Sequence, residues 1–184
     1  MRHPHLASAT GSALVVVDVQ EKLFRFVAEQ DRLIDRIGKL MKLSRILRIP
    51  IVLTQQYTNG LGPTIEPLLP LLDGVEPLEK VAFSCFGAEG FEPRLQQLGA
   101  RTLILCGIEA HICVQQTALD GLHRGYTVHL VSDAVSSRAE GNCRAGIEKM
   151  RQAGAIISTW EMVSYELMER AGTAAFREAL PLFK

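Results

Sequence analysis

The chain has 184 residues, a length suited to one globular domain, and its twenty basic residues balance twenty acidic ones. Apolar residues make up 47% of it, which excludes disorder. A domain this size buries roughly 70% of the surface its unfolded chain exposes, so it can hold a full core. Zero formal charge and the lack of a local Lys/Arg cluster argue against a nucleic-acid or membrane partner. No apolar run approaches the roughly 18 residues of a membrane span. The opening MRHPHLASAT has neither a secretory apolar stretch nor the arginines of a transit peptide. Cys85, Cys106, Cys113 and Cys143 form no CxxC pair and fit free thiols in a reducing compartment, so a cytoplasmic location is expected.

In chain order, residues 1–12 read as a tail before one domain over 13–184. Ala13–Val17 is a continuous apolar run rich in Val, suited to a strand buried on both faces, and it stops at Asp18. Over 31–47, Leu33, Ile37, Leu40, Met41 and Leu47 recur at helical spacing, with Asp31 as expected N-cap and Pro50 beyond the end. Ile51–Leu53 reads as a second strand, followed by a Gly/Pro-rich loop over 59–70 and a weak short strand near 75–78. A helix near 93–98 precedes the strand Thr102–Cys106, which Gly107 stops. A helix over 111–124, a strand over 127–131, a helix near 140–153, a strand over 155–157 and two short helices over 162–171 and 173–180 complete the chain. Strands separated by helix-length segments imply βαβ units, hence a parallel sheet with helices on both faces.

Ligands in open parallel sheets bind beyond the carboxyl ends of the strands. The polar residues there are Asp18, Gln55, Gln56, Lys80, the stretch Gly107–Cys113, and Asp133. A phosphate-attacking Asp18 would need a carboxylate two residues on, where this chain has Gln20. The segment after the first strand, Val19-Gln20-Glu21-Lys22, lacks the glycines of a dinucleotide site. Cys113, near a helix N-terminus, has a setting that lowers a thiol's pKa, and the Gly107–His111 connection offers free backbone N–H groups. Cys106 reads as a core residue, Cys85 and Cys143 as structural or incidental. A lysine such as Lys80 is usually a solvated surface residue unless the fold brings it beside Cys113. The five histidines have no metal-ligand spacing, and no metal or cofactor is expected.

Four segments in order carry a resemblance: ALVVVDVQEKLF (13–24), TQQYTNGLGPT (54–64), EKVAFSCF (79–86) and GIEAHICVQQTALDGLHRGYTVHLVSDAVSSR (107–138). Across roughly 13–158 the chain resembles the isochorismatase-like cysteine hydrolase superfamily, in the branch typified by isochorismatase domain-containing proteins. The resemblance implies a single-domain, doubly wound, six-stranded parallel sheet in the order 3-2-1-4-5-6, with helices on both faces. It implies a catalytic Asp18, Lys80 and Cys113, a non-proline cis peptide at Ile108–Glu109, and an oxyanion hole of the Glu109 and Cys113 N–H groups. Asp18 would then be the general acid/base, Lys80 its electrostatic partner and Cys113 the nucleophile acting on a small-molecule amide or related C–N bond. Phe24, Gln55, Tyr57 and His111 are the expected substrate-pocket residues. Nicotinamidases carry a metal-binding Asp-x-His…His cluster where this chain has Gln55-Gln56-Tyr57, so neither metal nor nicotinamide transfers. A homo-oligomer is expected, from the resemblance and from Trp160, Met162, Leu167, Met168 and Phe176. The alternative is a non-enzymatic member of the fold, acting as a redox-linked or binding protein.

Overall fold

Ser12–Val17 (β1) is buried along its whole length and lies at the centre of the sheet. That is where a strand with no polar residue after Ser12 belongs. The computed structural model describes residues 2–184. The other strands are Ile51–Gln56 (β2), Leu78–Lys80 (β3), Thr102–Ile108 (β4), Thr127–Ser136 (β5) and Ile156–Ser158 (β6). They form one six-stranded sheet in the order β3-β2-β1-β4-β5-β6, parallel throughout. The helices are Glu21–Phe24 (α1), Gln30–Ile46 (α2), Thr58–Leu61 (α3), Phe91–Gln97 (α4), Gln115–His123 (α5), Glu140–Gln152 (α6), Trp160–Met168 (α7) and Ala174–Ala179 (α8).

Side chains alternate across each strand, and this splits the core in two. Leu14, Val16, Leu53 and Ile104 face α2, α7 and α8, where they meet Leu33, Ile37, Met41 and Trp160. Ala13, Val15, Val17 and Val52 face α4, α5 and α6, where they meet Phe91, Leu95, Val114 and Met150. The second layer also contains Cys85 and Cys113.

Several boundaries differ from the sequence-based expectations, and the differences gather at the carboxyl ends of the strands. β2 runs on through Thr54, Gln55 and Gln56, because β1 and β3 flank it and keep its backbone paired to the end. The weak strand near 75–78 is Leu78–Lys80, so Lys80 is a strand residue. β4 continues through Gly107 to Ile108; a Cβ at Gly107 would lie 2.2 Å from the Val17 carbonyl oxygen, so only glycine lets the two strands run this close. β5 extends to Ser136 and takes in Asp133, whose carboxylate accepts the Trp160 N–H at 2.7 Å and faces Arg36. Asp133 therefore ties β5 to the first residue of α7, whose N-cap is Thr159. At the start of α2, Glu29 occupies the N-cap position with a left-handed backbone, and Asp31 lies in the first turn. Ser12, expected in the tail, opens β1, and Ala7 is buried with its N–H on Glu166.

Candidate active site

Alternation decides which polar side chains meet. Thr54 and Gln56 lie two residues apart and share the face of Val52, and Lys80 shares that of Leu78. All three therefore point into the layer that holds Cys85 and Cys113. Regular alternation would send Asp18 the other way. Its backbone turns left-handed at φ 50°, a conformation that Asp tolerates better than most residues. Its carboxylate thereby reaches Thr54 and Lys80.

The Lys80 Nζ lies 2.6 Å from Asp18 Oδ2, and both side chains are completely removed from solvent. Thr54 Oγ1 donates to Asp18 Oδ1 at 2.8 Å. Lys80 Nζ also donates to Gln56 Oε1 at 2.7 Å and to the carbonyls of Phe83 at 3.0 Å and Ala82 at 3.2 Å. Four oxygens thus share the ammonium's three protons, Asp18 Oδ2 being the nearest of them, and the Cys113 thiol is hydrogen-bonded to the same carboxylate. Gln56 is fixed in turn: its Nε2 donates to Val81 O at 2.7 Å, and its backbone N–H donates to Gln20 Oε1 at 2.7 Å. The Gln20 amide binds back to the Gln56 carbonyl at 3.0 Å and to that of Gly62 at 2.7 Å.

Cys113 arrives from the other side. β4 runs beside β1, Val17 opposite Gly107, and leads through Ile108 and Glu109 into the π turn Ala110–Val114 that precedes α5. The peptide bond between Ile108 and Glu109 is cis. The turn sits tightly on α6: a Cβ at Gly146 would lie 2.8 Å from His111 Cα and 2.9 Å from Ala110 O. Thr117 Oγ1 donates to the Cys113 carbonyl at 2.7 Å and accepts the Cys85 N–H at 2.9 Å. Burial pushes the Cys113 thiol well above its ordinary range, and the negative Asp18 beside it pushes further; Lys80 pulls the other way. The sequence suggested a lowered thiol. The difference arises because Cys113 lies deep and faces an anion, which outweighs the turn's partial charge. Cys85 is pushed up to about 11, mostly by burial.

The structure brings Asp18, Lys80 and Cys113 into one layer, but only part of the expected pocket lies with them. Gln55 points to the opposite face by alternation and spends its amide on Thr64 (3.0 Å) and Thr58 (3.1 Å). Phe24 is packed in the core of that same opposite face. Tyr57, just past β2, is exposed and left-handed at φ 40°. His111 is half-buried, with its Nδ1 2.9 Å from Ser137 Oγ. Glu109, nearly buried, turns its carboxylate onto the Arg138 backbone N–H at 2.9 Å and side-chain Nε at 3.1 Å. The residues that sequence reasoning missed are Thr54 and Cys85. A polar residue two before Gln56 on a buried strand was the available signal for Thr54; nothing in the sequence marked Cys85. Among the described residues no group of three or more His, Cys, Asp or Glu is placed to hold a metal, and no helix is long and apolar enough to cross a membrane.

Residues 12–162 match the Isochorismatase domain. The chain belongs to the isochorismatase family. A Danio rerio protein named isochorismatase domain-containing protein 2 is 38% identical over 172 residues, 93% of this chain and 86% of that one. Among solved structures, that of Mar1 ribonuclease from Caenorhabditis elegans has a TM-score of 0.88 at 37% identity, over 96% of this chain and 91% of that one. The YcaC gene product of Escherichia coli, described as an octameric hydrolase of unknown specificity, also has a TM-score of 0.88, at 24% identity, over 100% of this chain and 89% of its own. The fold of this isochorismatase-family chain is thus one that hydrolases use.

Proposed function

We propose that the protein is a cofactor-independent cysteine hydrolase acting on a small-molecule amide or a related C–N bond. The observation that carries this reading is the fully buried Asp18–Lys80 pair, whose carboxylate lies beside the Cys113 thiol. Burying two charges is costly, and a protein needing only stability gains as much from apolar residues there. Since the thiol rests protonated, its proton passes to Asp18 as the sulfur attacks the substrate carbon. The S–C bond forms and the C=O electron pair moves onto oxygen, where the Glu109 and Cys113 N–H groups receive it. The oxyanion collapses, the C–N bond breaks, and Asp18 returns the proton to the leaving nitrogen. Asp18 then takes a proton from water, hydroxide cleaves the thioester, and the thiol is restored. Lys80 offsets the negative charge of Asp18 in the dry site.

Mar1 ribonuclease raises RNA as another substrate. The balanced charge of this chain, and a nucleophile at the bottom of a buried site, favour a small molecule over a polyanion. A panel of small amides and ureas, with a single-stranded RNA alongside, offered to the wild type and to Cys113→Ala, tests the reading. Amide or urea cleavage with a mass-trapped acyl-enzyme, absent from the variant, is the expected result; cleavage of RNA alone overturns it. Four free thiols support a reducing, cytoplasmic setting. A homo-oligomer is proposed too, with the octameric E. coli relative in fold as support. The C-terminal residues first expected to form its contacts are mostly core: Trp160, Leu167 and Met168 are buried, Phe176 packs against them, and Met162 alone is exposed. Light scattering tests this; a monomeric mass at micromolar concentration contradicts it.

A further inference from the structure

A hydroxyl has one proton to give, and an ionised carboxylate only accepts. Thr54 Oγ1 lies 2.8 Å from Asp18 Oδ1, so its proton is committed there. The Cys85 Sγ, 3.5 Å from the same oxygen, must then be the donor of that second contact. The raised Cys85 thiol keeps its proton across neutral pH and can fill this role. A directed chain results: Cys85 S–H to Thr54 Oγ1, Thr54 O–H to Asp18 Oδ1. Both residues are fully buried. The chain fixes rotation of the carboxylate. With Oδ1 held by Thr54, Oδ2, which faces the Lys80 ammonium, is the oxygen left to exchange a proton with Cys113.

From this geometry we infer that Thr54 is a positioning residue of the reaction, holding Asp18 so that Oδ2 is the oxygen presented to Cys113, with Cys85 fixing the direction of the Thr54 hydroxyl. Thr54 touches no reacting atom and acts only through Asp18. This rests on the reading of Asp18 and Cys113 given above. Its consequence is that a β-branched alcohol near the end of β2 sets the protonation geometry of a carboxylate just past β1.

Iodoacetamide alkylation of Cys113 in the full-length protein, resolved by peptide mass spectrometry across pH 5–10, reads this without a known substrate. Thr54→Val keeps the shape and removes the hydroxyl; Thr54→Ser keeps the hydroxyl. The Val variant is expected to lose about tenfold in Cys113 alkylation at neutral pH, the scale of one hydrogen bond to a charged group. The shape of its pH profile should change as well, because Asp18 is no longer held in one orientation. The Ser variant should restore both to within about twofold, whatever its melting temperature. If the Val variant does not fold, Thr54→Ala makes the same comparison with Ser. A Val or Ala profile superimposable on wild type, while Asp18→Asn shifts it, overturns the role of Thr54 and leaves that of Asp18 standing. If Asp18→Asn also leaves the profile unmoved, the underlying reading of Asp18 falls, and this inference with it.

Discussion

The two ends of the sheet differ in how they hold their charged groups. At the amino ends of β2 and β3 lies an open groove of about 670 Å³, lined by Ile51, Val75, Glu76, Leu78 and Arg94 among others, with a neighbouring hollow of about 530 Å³. Its charged groups, Glu76 and Arg94, are exposed and keep their hydration. At the carboxyl ends, Asp18 and Lys80 sit wholly without solvent beside two thiols. Charge in water is cheap; charge in a dry interior must be held by many partners and is poised to act. The carboxyl end is therefore where the proposed chemistry is placed.

The comparison breaks most completely at the nucleophile. Cys113→Ala should abolish cleavage of any amide or urea that the wild type hydrolyses, since Cys85 and Cys106 lie too deep to replace it. Its melting temperature should stay within about 4 °C, because one small side chain is shortened in place. Retained turnover would remove covalent catalysis by Cys113.

Next in size is the ion pair. Lys80→Met leaves Asp18 buried and unpaired, which should cost roughly 3–5 kcal/mol and lower the melting temperature by roughly 6–20 °C. Adding Asp18→Asn should restore much of that stability while activity stays absent, because a neutral buried pair needs no compensation. Thermal unfolding of the two single variants and the double measures the coupling. Additive losses would mean that the pair is not the unit described.

The raised thiols give a smaller, graded effect with a definite sign. Cys85, at about 11, and Cys113 and Cys106, higher still, keep their protons in the folded state where an unfolded thiol loses its own. The folded state thus binds more protons than the unfolded one from about pH 9 upward, and stability falls as pH rises through about 9–11. Denaturant unfolding at pH 8, 9 and 10 should show this decline, with a shallower slope in Cys106→Ala. At the opposite end, Arg94→Ala in the exposed groove should change stability by less than about 0.5 kcal/mol and leave Cys113 alkylation untouched. A loss of Cys113 reactivity there would couple the two ends and undo the contrast.

Much of the fold was legible because it rests on period and composition. The apolar β1 run, the 3.6-residue spacing of α2 and the alternation of strand and helix lead to a parallel α/β sheet, which the structure has in the order 3-2-1-4-5-6. Asp18, Lys80 and Cys113 stood out through the family resemblance more than through their own surroundings. What stayed illegible depends on strand ends, where pairing with neighbours overrides local preference. β2 was read three residues short, and so the period-2 relation of Thr54 to Gln56 was invisible. That same relation sends Gln55 to the wrong face for a pocket role. Cys85 opens a short 3-10 turn beyond β3, where its contact with Thr54 depends wholly on tertiary packing.

The smallest expected effect concerns metal, and it follows from the same strand end. Gln55 and Gln56 bring neutral amides to the region where a metal-dependent relative would need imidazole or carboxylate, and amide oxygens are weak ligands for zinc or iron. Both amides are already committed. Gln55 is held between Thr64 and Thr58, and Gln56 takes one Lys80 proton while donating to Val81 O. Recruiting either one to a metal would strip Lys80 of a buried acceptor, or leave Thr64 or Val81 without its donor, at roughly 1–3 kcal/mol per orphaned group. A cation there would also sit beside the Lys80 ammonium in a dry site. Overnight chelation should therefore leave the Cys113 alkylation profile and any amidase activity unchanged, to within about twofold. Activity that vanished with a chelator and returned with zinc would mean that Gln55 and Gln56 give up these bonds, and that the carboxyl end of β2 is a metal site after all.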